Sequence, residues 1–153
     1  MIWVTRAGAR VDRVACPWLI KRFIDPQAQF LFVPADDVLR VAERVGGLSF
    51  DAQDARYTHR GSLCTFEVLV SEYALATDAA LVRLAHIVHA ADVTGDIGMV
   101  PEGAGLWAFS EGLRLTTADD HRKVELASPL YDALYAYCDS GLDPEREGMR
   151  SSG

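Results

Sequence analysis

Cysteine is scarce: Cys16, Cys64 and Cys138 lie far apart, and no CxxC pair occurs. This excludes a disulfide framework and a zinc ribbon and fits thiols kept reduced, so a cytoplasmic setting is expected. No apolar run approaches the roughly 18 residues of a membrane span. The opening Met1-Ile2-Trp3-Val4-Thr5-Arg6 also lacks the apolar stretch of a secretion signal, so no membrane partner is expected. Basic residues are outnumbered, 15 against 22 acidic, for a formal net charge of −7. A phosphate-binding surface needs excess Lys and Arg, which counts against direct nucleic-acid binding. There is no GxGxxG after the first strand, no phosphate loop and no nucleophile elbow. The chain thus brings no recognisable nicotinamide or flavin cradle of its own.

What is present is a chain of 153 residues, half of them hydrophobic, enough for one domain with a real core. That domain is expected over residues 2–140, followed by a polar, disordered tail over 141–153. Ile2 to Thr5 reads as a short buried strand, and Asp12 as the cap of a helix through Ile24 with Pro17 early in it. Phe30 to Val33 is the clearest strand, Asp36 to Val45 a helix closed by Gly46-Gly47, and Leu48 to Asp51 a third strand. Helices are then predicted over Thr65 to Leu75, Asp78 to about Val93 and Glu102 to Leu113. Two more are predicted over Asp119 to Leu126 and Pro129 to Cys138, divided at Ser128-Pro129. The predicted class is α/β (or α+β): a small N-terminal β-α-β-α-β unit packed against a helical C-terminal part.

The chemistry-bearing residues gather in two stretches. His86, His89 and Asp92 recur at i, i+3 and i+6 near the end of one predicted helix. At roughly 100° per residue they share about a third of its circumference. Upstream, His59, Cys64 and Glu67 surround a turn and a helix start. Two imidazoles and two carboxylates, His59, Glu67, His89 and Asp92, form an N/O donor set suited to Mn²⁺, Fe²⁺ or Zn²⁺ more than to Ca²⁺ or Mg²⁺. Each residue also has a plainer reading. His89 can complement a helix dipole, Glu67 can close a capping box, and Cys64 can be a small buried hydrophobe. Asp120 and His121 add a weaker acidic–imidazole pair at another helix start, where caps are common. Arg6, Arg13 and Arg60 are the anion-binding candidates, because strand ends and helix starts converge on one crevice in an α/β sheet. Trp18 and Trp107 are expected in the core.

Several motifs carry a resemblance. They are Val4-Thr5-Arg6, the long run from Val11 to Pro26 (VDRVACPWLIKRFIDP), Phe30 to Pro34, and His59-Arg60-Gly61 with Cys64-Thr65-Phe66-Glu67. Ile87-Val88-His89 with Asp92 and Tyr131 to Tyr135 extend it. Over nearly all of residues 2–140 the sequence resembles the chromate-resistance protein family, the domain forming the C-terminal half of ChrB-type proteins. The resemblance implies a role beside chromate efflux, as a chromate-responsive regulator or a metal-assisted chromate reductase. Longer members of that family carry a further N-terminal region. The resemblance supplies no established catalytic residues.

The reading is a divalent-metal-binding, oxyanion-handling domain of a chromate stress response, with a small oxyanion such as chromate as ligand and Mn, Fe or Zn as cofactor. Two alternatives stay open, a metal-dependent reductase fed by an external donor and a regulatory or interaction module without catalysis; a second copy of the chain stays open as a partner. Reducing Cr(VI) to Cr(III) takes three electrons, and a dithiol supplies two.

Overall fold

The continuous apolar run Ile2-Trp3-Val4 of the first strand gives the sheet two greasy faces, and the rest of the chain divides between them. The computed structural model describes residues 1–146. Strand β1 (Ile2–Arg6) leads into helix α1 (Val11–Leu19), which continues as one wide π-turn over Ile20–Ile24. Strand β2 (Gln29–Val33) follows, then a 3-10 turn (Ala35–Asp37), helix α2 (Val38–Val45) and the two-residue strand β3 (Leu48–Ser49). The sheet is parallel in order β2-β1-β3, with Ile2 opposite Gln29 and Trp3 opposite Leu48. Helices α3 (Thr65–Glu72), α4 (Ala79–Asp92), α5 (Glu102–Thr116) and α6 (Asp120–Ser140) complete the chain. The expected β-α-β-α-β start and helical C-terminal part are both present. No helix among the described residues is long and apolar enough to cross a membrane.

Val4 and its partly buried neighbours Ile2, Leu31 and Val33 pack on α2 through Val38, Val41 and Ala42. The opposite face carries Trp3, Phe30 and Phe50 into the larger core with Leu19, Phe66, Leu69, Leu84 and Tyr131. Trp3 stacks on Tyr57 at 6.0 Å, while its Nε1–H donates to Asp25 at 3.1 Å. The carboxyl ends of the three parallel strands, the edge where α/β sheets present their crevice, point at the start of α1.

Three local expectations differ from the structure. The expected break at Ser128-Pro129 does not occur: α6 runs unbroken with Pro129 inside it. Proline forfeits one helical hydrogen bond, but Ala127 and Tyr131, both buried, fasten the helix to the core on either side. Asp12 does not cap its own helix; Arg10 holds the N-cap position. Trp18 is buried, with its Nε1–H donating to Asp132, whereas Trp107 is half exposed on α5. Within the expected tail, Gly141 ends α6 in the left-handed conformation and Leu142 accepts a hydrogen bond from Arg83. Residues 147–153 lie outside the described residues.

Gly103 sets how closely α5 approaches α4. A Cβ there would stand 2.7 Å from the Ala90 Cβ and 2.9 Å from the Ile97 carbonyl oxygen. Gly103→Ala is therefore expected to destabilise the chain by about 1–3 kcal/mol through overpacking. A denaturant midpoint unchanged from wild type would contradict this.

Candidate metal centre

Asp12 sits in the first turn of α1, almost wholly buried, yet its carboxylate serves another helix. Its Oδ2 accepts the Thr65 N–H at 2.8 Å and its Oδ1 the Phe66 N–H at 3.3 Å, so it caps α3 from across the core. The start of α1 is served in turn by Asp92, the last residue of α4, whose Oδ1 accepts the Asp12 N–H at 3.3 Å. Asp51, just past β3, holds a left-handed φ of 45°. It accepts from the Thr65 hydroxyl at 2.7 Å and from Arg13 Nη1 at 3.1 Å.

Into this acidic cluster points His59, from the irregular loop between β3 and α3. Its Nε2 lies 3.2 Å from Asp92, 3.3 Å from Asp12 and 3.5 Å from Asp51. Burial pushes the Asp12 carboxyl up to about 7, against the pull of its contact with His59; the neighbouring charges of Asp92 and Asp51 add to the rise. Burial, reinforced by Asp51, raises Asp92 as well. Asp51 moves the other way. Burial opposes its charge, but hydrogen bonds from His59 and Thr65 and the Arg13 guanidinium hold it below the usual range. Contacts with Asp12 and Asp51 raise the His59 imidazole to about 10.

A second group lies at the junction of α3 and α4. Cys64 is the N-cap of α3, and Glu67 closes a capping box by accepting the Cys64 N–H at 3.0 Å. The same Glu67 oxygen meets His89 Nδ1, and His89 Nε2 meets Asp96 at 2.7 Å. Although burial opposes it, the contacts with Asp96 and Glu67 raise the His89 imidazole. Burial drives the Cys64 thiol far above its ordinary range. The Cys64 sulfur and one ligand atom each of Glu67 and His89 lie within 4.8 Å of one another, as do those of Asp12, His59 and Asp92.

The four residues singled out from the sequence thus fall into two pairs, His59 with Asp92 and Glu67 with His89. Asp12, Asp51 and Asp96 went unread as site residues. The one local signal for Asp12 was a carboxylate set in the apolar stretch Val11 to Pro17, where a solvated face is not expected. Asp120 accepts the Gly8 and Ala9 N–H groups at 2.9 and 2.8 Å and pairs with Lys123. The His121 ring stands edge-on to Phe32, 5.0 Å between centroids.

The arginines also divide. Arg13 is buried between Asp51 and the Gly8 carbonyl, and Arg60 pairs with Glu72 at 2.6 Å. Arg6, exposed at the end of β1, has no ion-pair partner among the described residues, and its charge bears on Arg13. Beside Asp92 opens a cleft of about 520 Å³ lined by Arg10, Thr94, Ile97, Trp107 and Glu111.

Residues 3–138 match the family described as ChrB, C-terminal domain. The chain belongs to that family. It is 38% identical over 138 residues to Protein ChrB of Cupriavidus metallidurans, covering 90% of this chain. The ChrB-type chromate-resistance resemblance of its motifs is therefore a family relationship. The chain spans 41% of that relative's length. No solved structure matches it.

Proposed function

We propose that this ChrB-type domain binds a divalent cation through Asp12, His59 and Asp92 and presents it to a tetrahedral oxyanion such as chromate. The supporting observation is the charge around His59. Three enclosed carboxylates face one guanidinium and one imidazole. With the imidazole neutral, as a ligand must be, one divalent ion balances the two remaining negative charges. One nitrogen and two carboxylate oxygens favour manganese or iron, with zinc as the competing choice. A bound ion would attract an oxyanion oxygen as a Lewis acid.

Of the three arginines, Arg6 is the one left to add attraction, since Arg13 and Arg60 are already engaged. Metal analysis of the purified chain beside His59→Ala tests the cation: bound manganese or iron should fall to background in the variant. Equal content in both would end the proposal. Loss of one charge-assisted contact in Arg6→Ala is expected to weaken chromate binding by about tenfold, as read by equilibrium dialysis. Unchanged affinity would remove Arg6 from the anion site.

A further inference from the structure

We propose that Cys64, Glu67 and His89 form a second cation position, with Asp96 orienting His89, and that it takes zinc-like ions. A thiol, a carboxylate and an imidazole supply the three ligand types of zinc, and the sulfur makes the position softer than the Asp12–His59–Asp92 group. The separations fit. Ligand atoms that bond one zinc ion at about 2.0–2.3 Å must lie within roughly 4.6 Å of each other. These three already converge to within 4.8 Å, so side-chain rotation alone closes the shell.

The surroundings also match. A metal-bound imidazole is usually held through its other nitrogen by a carboxylate, and Asp96 meets His89 Nε2 at 2.7 Å, leaving Nδ1 facing Glu67. Cys64 sits at the start of α3, and an entering ion displaces its thiol proton to solvent. A cavity of about 200 Å³, lined by Leu63, Glu67, Val70 and His86, opens on the Glu67 side. Nothing in this position requires the first to be filled.

Cobalt(II) tests it, because only a sulfur-ligated ion gives a thiolate-to-cobalt charge-transfer band in the near ultraviolet. The metal-free chain should take up about two Co²⁺ ions and develop that band, which Zn²⁺ should then abolish. Cys64→Ser should lose the band and one ion, whereas His59→Ala should lose one ion and keep the band. Asp96→Asn, which leaves all three ligands in place, should weaken the band-forming step by about 10-fold or more. A wild-type chain without the band, a band that survives in Cys64→Ser, or unchanged affinity in Asp96→Asn would each overturn this second position. Failure of the His59 position would show differently: one ion bound, with the band intact and indifferent to His59→Ala.

Discussion

Asp12→Ala is expected to be the most damaging single substitution outside the apolar core. Its carboxylate accepts the Thr65 and Phe66 N–H groups, both enclosed, and alanine offers no acceptor in its place. Leaving a buried donor unpaired costs about 1–3 kcal/mol, so two should cost about 3 kcal/mol or more. For a chain of this size that is a fall in melting temperature of roughly 6–12 °C. Asp12→Asn separates the two roles of the residue. The amide keeps the volume and one acceptor oxygen, so it should lose less than half as much stability. It should nonetheless lose the His59-centred cation, because an amide carries no charge to balance. Thermal melts of both variants check this, and an Asp12→Ala melt within a degree of wild type would contradict the capping role.

The second large effect is a reversal of pH dependence by metal. Without a divalent ion, the His59 imidazole is raised to about 10, above the 6.5 or so of an unfolded chain. Between those values the folded form holds a proton that the unfolded chain has released. The resulting stability is full below about 6.5 and is lost as pH rises through about 10. Asp12, raised to about 7, has the same sign over a lower window: the folded form keeps a proton between about 4 and 7, so raising the pH there also destabilises it. Asp51, held low, acts oppositely and only in acid, where its contribution disappears as it protonates. The metal-free melting temperature should therefore fall as pH rises across the neutral and mildly alkaline range.

A cation competes with the protons on His59 and Asp12, so its binding strengthens as pH rises, and it stabilises only the folded form. Saturating manganese or zinc should turn the falling melting curve into a flat or rising one. A metal-induced shift of equal size at about pH 6 and about pH 9 would remove proton competition from the account.

The fold was legible where local pattern decides it. Phe30-Leu31-Phe32-Val33 closed by Pro34 can only be a short buried strand, and the apolar stripe of Leu81, Leu84 and Val88 makes α4 plain. The π-turn at Ile20–Ile24 left no trace, since one wide turn barely alters a 3.6-residue period. Pro129 carries a strong local stop signal, and tertiary packing of Tyr131 and Ala127 overrides it. The candidate site was legible as residue types but not as pairings. His89 and Asp92 share a face of α4, yet one meets Glu67 and the other His59. Asp12 and Thr65 stand 53 positions apart, a separation over which no periodicity carries information. Asp51 and Asp96 sit among short polar stretches in which a carboxylate is ordinary, whereas Asp12 stood out only by its apolar neighbours.

The exchange of caps between distant segments has a consequence for folding. The start of α3 is completed by a residue of α1, and the start of α1 by a residue at the end of α4. Neither helix can finish its own hydrogen bonding while the chain is still local, so excised peptides spanning 8–26 or 62–76 should be poorly helical in water. The cooperative unit must then reach at least from Asp12 to Asp92, and melting followed by backbone and by aromatic signals should trace one coincident transition.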